Sequence, residues 1–409
     1  MASRPAPSAL FLASRVFLPF ALGYYLSYLM RTVNAVISPD LTRELGLGAA
    51  DLGLLTSTYF FAFALTQIPV GIALDRYGPR RVEATLLAIT ALGAALFAIG
   101  NSLPALAGAR ALIGMGVSAC LMAGLKGFTL WFERDRLASM TGYVMSFGAL
   151  GAVTASAPLE AALPVLGWRG AFWTVAALAA AVAALIFFAM PEKEDTHAHG
   201  DLQDALRGVV EVLRARAFWR FAAQSAFFTG GFMALQGLWA VPWLMEVNGY
   251  SRARAADHLF WLNVGMLCGQ LFIGAWATPL AARGVTPVRL MQIGLSVSLV
   301  LEVLIIAGIG PTLPLWGLLG VVSASGAQMY GVLSGMFPMH LAGRVTTSIN
   351  LMAFVGAFVV QWGLGGLLDG LRAEGMGGAD SLRVAFLILL AAQALSLIPL
   401  LRAGRYRSG

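Results

Sequence analysis

Twelve long apolar stretches, separated by short polar segments, constrain the fold of this chain more than any other feature. Each has roughly 18–27 residues, the length an α-helix needs to cross a bilayer core of about 30 Å. Backbone amides inside lipid must be satisfied within their own segment, so we expect all of the stretches to be helices. We number them spans 1 to 12, at about 16–38, 52–74, 82–102, 104–131, 139–162, 170–190, 217–245, 256–280, 286–309, 312–337, 345–368 and 383–402.

Composition and charge support a membrane protein. The 409 residues are 59% hydrophobic and 11% charged, which excludes an ordinary soluble globular protein. Most of the 27 Lys and Arg residues fall in alternate loops, and the positive-inside rule then places both termini in the cytoplasm. The net charge of +7 therefore reflects topology, and no nucleic-acid partner is expected. We predict an all-α, multi-pass protein in the lipid bilayer of a bacterial inner membrane.

The composition changes abruptly after span 6. A polar segment is followed by residues that repeat apolar side chains at helical spacing, which predicts an amphipathic helix at the cytoplasmic interface. We therefore predict an N-terminal six-helix bundle at 1–190, a cytoplasmic linker at 191–216 and a C-terminal six-helix bundle at 217–409. The apolar face of the linker helix is expected to comprise Leu202, Leu206, Val210 and Leu213.

A compact charged segment at 71–81 joins spans 2 and 3. It resembles the loop between helices 2 and 3 in the major facilitator superfamily of secondary transporters. The resemblance implies the twelve-helix fold of that family, and it implies that Asp75 pairs with a neighbouring helix end to latch one conformation. We expect Arg76 and Arg80 to belong to the same gate. The matching residues are Gly71, Asp75, Arg76, Gly78, Arg80 and Arg81.

Arg31, near the middle of span 1, is the first candidate for substrate contact. A cation inside the membrane costs about 3 kcal/mol by insertion scales and is expected to have a partner or a function. Its planar guanidinium can hold a carboxylate or phosphate through two hydrogen bonds. The alternative is a structural cation neutralised by backbone carbonyls or by a neighbouring side chain.

Two further cations lie in span 4. Arg110 begins a segment, Arg-Ala-Leu-Ile-Gly-Met-Gly, which resembles the fourth-helix pattern of the superfamily, where the arginine is linked to coupling or to substrate. Packing and orientation are the alternative for Arg110. Lys126, near the cytoplasmic end, either extends to the interface or acts in a gate.

Arg31 followed by Arg110 resembles the organic-anion symporter branch, whose members move sugar acids and similar carboxylates with protons. This chain has Met30 and Val117 where that branch has acidic residues. Glu302 in span 9 is the one acid that we place well inside a span, and so it is a candidate proton carrier; a protonated side chain with no role in coupling is the alternative. We interpret Glu160 and Asp369, near helix ends, as loop or gate charges.

Polar and aromatic residues recur at helical spacing in spans 1, 2, 7, 8, 10 and 11, whereas spans 3, 6 and 12 are almost featureless. Polar groups in a membrane are costly unless they face protein or water, so these faces are expected to line one cavity. Helix packing is the alternative for any single residue. The candidate substrate-binding residues are Arg31, Tyr28, Asn34, Tyr59, Gln236, Trp239, Gln328, Tyr330 and Asn350.

The sequence therefore favours a secondary transporter that imports a small organic anion by alternating access, with H+ as the coupling ion. An exporter of hydrophobic compounds is one alternative, and a membrane sensor or scaffold without transport activity is another. An enzyme is not expected, because the four histidines lack nucleophile partners at usable spacing. No cofactor or metal is expected, and the protein is expected to act as a monomer.

Overall fold

The computed structural model describes residues 8–133, 136–191, 202–338 and 341–402, and this part of the chain is helical without a β-strand. It confirms the twelve-span fold. The spans are Leu10–Leu45, two within Ala49–Ile99, Leu103–Trp131, Leu137–Thr154, Ala157–Ala189, 216–246, Arg252–Ala282, Pro287–Ala307, 312–334, Ala342–Ala373 and Gly378–Arg402.

Eight of the described helices are individually long and apolar enough to cross a membrane, and the 51-residue helix Ala49–Ile99 supplies two spans. Span 5 is short, and the α-helix is interrupted in several other spans, including span 4 between Gly116 and Cys120. In span 7 the α-helix widens into π-helical turns at Ser225–Thr229 and Leu235–Trp239, and in span 10 it tightens at Ala324–Ala327. Such interruptions often mark functional sites in helices.

The charged segment between spans 2 and 3 is tighter than the sequence suggested. Helical hydrogen bonding continues through it, and the break is confined to Gly78, with φ 77° and ψ 162°. L-residues with a side chain rarely adopt this backbone conformation. Pro79 then begins span 3, where the missing N–H of proline is tolerated.

The linker contains a helix at Leu202–Arg214. Its packed face differs from the predicted one, because Val209 and Val212 are buried while Val210 is 45% exposed. Gly208 contacts the side chain of Arg344 at the start of span 11, which turns this face toward the C-terminal half. Residues 192–201 and the side chains of Leu202 and Leu206 lie outside the described part of the chain.

Spans 3 and 12, which look almost featureless in the sequence, contain several buried polar side chains. Glu83 in span 3 is fully buried, and Gln393 and Ser396 in span 12 are buried as well. The spans carry few polar residues, but these few point inward, so composition averaged over a span does not reveal them.

The two halves of the molecule meet at the predicted outer end of the bundle. The carboxylate of Asp369, at the end of span 11, accepts hydrogen bonds from the backbone N–H groups of Ala49 and Ala50 at 3.2 and 2.8 Å. These amides begin span 2, so the acid lies at the positive end of a helix dipole. The backbones of Gly53 and Gln361 also approach closely one turn further into the membrane.

A second contact between the halves surrounds Arg252 at the start of span 8. Its guanidinium lies 2.8 Å from Asp40 of span 1 and 2.5 Å from Glu160, in the first turn of span 6. All three side chains are less than one fifth exposed, so the charges are only partly screened by water. Together with Asp369, these contacts close the route between the halves from the outer side.

We predict that replacing the small residue at a close helix crossing lowers the stability of the protein. A Cβ atom at Gly114 in span 4 would overlap the carbonyl oxygen of Tyr59 in span 2. Gly114→Ala should therefore reduce the thermal unfolding temperature in detergent, with a cost of about 1–3 kcal/mol. Gly108→Ala in the same span meets open space and should leave that temperature unchanged or higher. Equal destabilisation by both substitutions would contradict the close crossing of spans 2 and 4.

We predict that Asp369→Asn shifts the conformational equilibrium toward a state open at the outer end. The charge at a helix N-terminus contributes about 1 kcal/mol, which corresponds to roughly a fivefold change in a population ratio. Spin labels at residues 43 and 374, in a background without the native cysteines, should report a longer distance in the variant. Asp380→Asn is the matched control, because that acid pairs with Arg383 within one half.

Candidate functional site

Arg31 lies at the centre of the molecule, where spans 1, 2 and 11 meet. Its guanidinium carbon is 4.3 Å from the ring centroid of Tyr28, 5.3 Å from that of Phe354 and 5.9 Å from that of Phe63. Cation–π contacts of this kind stabilise a buried cation by about 2 kcal/mol. Among the described residues no carboxylate interacts with Arg31, and its Nε has no hydrogen-bond partner.

The rings around Arg31 come from both halves. Phe63 of span 2 stacks on Phe354 of span 11, with centroids 4.0 Å apart. Phe354 also contacts Phe60, with centroids 6.1 Å apart, so three aromatic residues of the two halves form one cluster beside Arg31. The hydroxyl-bearing rings of Tyr28 and Tyr330 complete the surroundings, and Tyr330 interacts electrostatically with Arg31. We call Arg31, Tyr28, Phe63, Phe354 and Tyr330 the arginine cage.

Arg110 is buried beside the cage. Its Nη1 donates a hydrogen bond of 2.8 Å to the carbonyl oxygen of Met30, the residue that precedes Arg31. Its guanidinium carbon lies 4.8 Å from the ring centroid of Tyr59. Tyr59 in turn donates its hydroxyl to the carbonyl oxygen of Ser27 at 3.0 Å. Arg110 and Tyr59 therefore hold span 1 against spans 2 and 4 at the level of Arg31.

A chain of polar side chains crosses between the halves at the cage. Tyr330 donates to Asn350 at 3.0 Å, and Asn350 donates to Gln67 of span 2 at 3.4 Å. Gln67 donates to the carbonyl oxygen of Ser118 at 3.3 Å, where span 4 is interrupted between Gly116 and Cys120. These groups form a hydrogen-bonded chain from span 10 to span 4.

Other predicted binding residues have hydrogen-bond partners within the protein. Asn34 donates to Thr56 at 2.9 Å, and Gln236 donates to Asn263 at 2.6 Å. Trp239 donates to the carbonyl oxygen of Gln361 at 3.3 Å. Their side chains are fully buried with these partners, and the structure does not bring them to the guanidinium of Arg31. Gln328, by contrast, makes no side-chain hydrogen bond within the described residues and lies partly exposed at the start of the last segment of span 10.

The predicted gate residues lie at the cytoplasmic end of the N-terminal half. Lys126 forms an ion pair of 2.6 Å with Asp75, so Asp75 pairs with span 4. Arg80 donates to the carbonyl oxygen of Phe187 at 2.9 Å, which ties span 3 to the end of span 6. The guanidinium of Arg76 lies 5.3 Å from the ring centroid of Tyr77.

Glu302 lies in a small cleft inside the C-terminal half. Its Oε1 accepts a hydrogen bond of 3.4 Å from Gln393 of span 12. The cleft is lined by spans 7, 9, 10 and 12, with Trp316 and Phe386 among its apolar walls. No described residue of the N-terminal half lines it, and none of its lining residues belongs to the arginine cage.

The expectation that Glu302 is the one acid well inside a span is wrong. Glu83 of span 3 is fully buried, and neither of its carboxylate oxygens has a hydrogen-bond partner in the described protein. Its position only two residues after the charged segment made it look like a loop residue. The structure starts span 3 at Pro79, which puts Glu83 one turn inside the helix.

Phe63 and Phe354 are the cage residues that are absent from the predicted binding residues, and Phe354 had a signal in the sequence. It follows Asn350 by four residues and precedes Gln361 by seven, so the three positions share one face of span 11. That spacing was the available signal. No group of three metal-ligand side chains occurs among the described residues, and the buried His258 contacts the Arg254 carbonyl and Thr312.

Curated relatives with sequence similarity are transporters of acids. The chain is 24% identical over 249 residues to the probable sulfoacetate transporter SauU of Cupriavidus necator, covering 58% of each chain. It is 26% identical over 284 residues to the hexuronate transporter of Escherichia coli, covering 64% of each. It is 27% identical over 229 residues to the galacturonate transporter of Dickeya chrysanthemi, covering 51% of this chain and 66% of that one. The matches thus span about three fifths of the first two relatives.

Solved structures with the same fold cover nearly the whole chain. A bacterial homologue of the human lysosomal transporter Spinster, in an inward-facing and unoccupied conformation, matches with a TM-score of 0.76 and 18% identity, covering 98% of this chain and 100% of that one. The D-xylose–proton symporter matches with a TM-score of 0.72 and 14% identity, covering 96% and 97%. At these identities the likeness establishes the fold alone.

A family model described as the Major Facilitator Superfamily matches residues 20–361, which contain both the charged segment and the arginine cage. This range extends from span 1 into span 11. The family consists of transporters, and so the expectation that the protein is not an enzyme is confirmed. The chain belongs to the Major Facilitator Superfamily.

Proposed function

We propose that the protein is a secondary active transporter that imports a small organic anion of the carboxylate or sulfonate type across the inner membrane by alternating access. The observation that carries this proposal is the charge and position of Arg31. It lies at the junction of the two halves, and no described carboxylate pairs with it. The protein is proposed to work as a monomer in the bilayer, with H+ as the coupling ion.

The charge balance around the cage favours an anion. Arg31 and Arg110 are both buried, and among the described residues neither interacts with a carboxylate. Two buried cations without a counterion are costly in a low-dielectric interior. An anionic group that binds Arg31 through two hydrogen bonds offsets part of this cost. The tyrosine hydroxyls of the cage supply donors for the polar body of such a substrate.

The location of Arg31 fits alternating access. Its cage combines residues of spans 1, 2, 10 and 11, so binding depends on both halves. Asp369 and Arg252 join the halves at the predicted outer end, and the Phe63–Phe354 pair joins them beside Arg31. Rocking of the halves that separates these contacts would open the cage to the outside. The structure therefore corresponds, in this proposal, to a state facing the cytoplasm.

The printed names of the relatives supply the probes. They are described as transporters of sulfoacetate, hexuronate and galacturonate, small acids that each carry a terminal carboxylate, with a sulfonate at the other end of sulfoacetate. One arginine fork matches one such group. We therefore propose sulfoacetate, D-glucuronate and D-galacturonate as the first compounds to test.

Export of a hydrophobic compound has less support. That alternative relied on the aromatic face of span 7, yet Trp239 and Trp243 are fully buried within the C-terminal half. Trp243 packs against Phe386 of span 12 with centroids 4.4 Å apart. These side chains stabilise the fold and do not line a path. A sensor or scaffold would not need a charged cage between mobile halves.

We predict that Arg31→Gln abolishes stabilisation by the substrate anion. Charge-assisted hydrogen bonds contribute about 1.5–3 kcal/mol, so the variant should bind roughly 10- to 100-fold more weakly. Wild type should show a rise in thermal unfolding temperature with at least one of the three acids, and Arg31→Gln should not. Uptake of the same acid into proteoliposomes should fall by a similar factor.

Arg43→Gln is the matched control for this experiment. Arg43 lies near the end of the same span, is exposed and makes a weak surface pair of 3.8 Å with Asp40. It should leave both binding and uptake unchanged. A wild type that responds to apolar or cationic compounds but to no acid would favour the exporter. A wild type that moves no compound at all would favour the sensor.

A further inference from the structure

We propose that Glu83 is the proton-binding site of the transporter. The inference rests on the proposed proton-coupled function, because it assigns the carrier residue of that coupling. Glu83 lies in the N-terminal half, apart from the arginine cage and from the cleft around Glu302.

The surroundings of Glu83 exclude a salt-bridge role. Its side chain is fully buried, and both oxygens lack hydrogen-bond partners in the described protein. One oxygen presses against Gly23 of span 1, where a Cβ atom would overlap it. Among the described residues, the thiol of Cys120 in span 4 is the titratable group that interacts with Glu83. The site is therefore formed by spans 1, 3 and 4.

The nearby cations are engaged elsewhere or face another way. Lys126 of span 4 pairs with Asp75, and Arg80 donates to Phe187. Arg81 precedes Glu83 by two positions, and residues at that spacing do not share a helix face. Arg110 of span 4 is bonded to the Met30 carbonyl. Within the described ranges, no positive charge compensates a carboxylate at this site.

A proton matches the site better than a metal cation does. An ionised carboxylate buried without partners is far more costly than the neutral acid, whereas protonation removes the charge without needing further ligands. A hard cation such as Ca2+ takes about six to eight oxygen ligands, and this site offers one carboxylate, a thiol and a glycine. Among the described residues no group of three acidic, cysteine or histidine ligands occurs.

Glu83 is connected to the cage through two spans. Gly23 and Arg31 lie eight residues apart on span 1, or about 12 Å along the helix. Cys120 begins the second segment of span 4, two residues after the Ser118 carbonyl that accepts from Gln67. The polar chain from Tyr330 thus ends at the interruption that faces Glu83. Loss of the proton would leave a carboxylate that cannot remain against Gly23, so it would displace span 1, the helix that carries Arg31.

Infrared spectroscopy tests the proton at Glu83 without any substrate. Purified wild type at neutral pH should show the carbonyl stretch of a buried protonated carboxylic acid, part of which disappears in Glu83→Gln. Glu83→Asp keeps a carboxyl group, so it should shift that part of the band instead of removing it. This second variant keeps the test valid if Glu83→Gln is unstable. Glu374→Gln, which removes an exposed acid, should leave the band unchanged. A wild-type band identical to that of Glu83→Gln would overturn the inference.

Transport in proteoliposomes tests the coupling. With a pH-sensitive dye inside, external D-galacturonate or sulfoacetate should acidify the lumen for wild type and for Glu374→Gln. Glu83→Gln should lose the acidification while it retains exchange of the acid between equal concentrations. Acidification by Glu83→Gln at the wild-type rate would overturn the inference. The inference would also be overturned if Glu302→Gln lost the acidification while Glu83→Gln kept it. If wild type moves neither acid, the proposed function fails, and the infrared result still decides whether Glu83 binds a proton.

Discussion

The rest of the structure depends on one constraint. Two arginines are buried at the centre of a membrane protein, and no described acid neutralises them. The protein holds Arg31 with aromatic rings and Arg110 with a backbone carbonyl, neither of which cancels a charge. Cation–π contacts lower the cost of burial but leave the guanidinium able to bind an anion. In the proposed function, the cage would therefore favour an anionic group without loss of the fold.

This arrangement also explains why the halves meet as they do. Two of the rings around Arg31, Phe63 and Phe354, belong to different halves and stack on each other. The contact that protects the cation is therefore broken by the movement that would open the site. At the outer end, Asp369 and Arg252 place charges on contacts between halves, where water can solvate them once they separate. Both kinds of contact suit an interface that must dissociate.

The sequence predicted the architecture well and the site unevenly. Runs of apolar residues define spans because lipid enforces helices, and Arg31 was evident because a charge in such a run is rare. Asn34 and Trp239 carried the same helical spacing as true cavity residues, yet they proved to be packed. Spacing identifies a face of a helix but not whether that face meets a cavity or a neighbour. Val210 was misplaced for the same reason.

For Glu83 the sequence analysis erred in the opposite direction. It overlooked a buried acid, because that burial depends on the spans that surround Glu83. In the sequence it stands close behind a charged segment and resembles an interfacial acid. The tight break at Gly78 is what brings it inside, because span 3 begins at once and carries Glu83 between spans 1 and 4. A chain with a longer loop at 71–81 would leave this acid in water. The charged segment of the family therefore acts in this protein both as a cytoplasmic anchor and as the geometric cause of a buried carboxyl group.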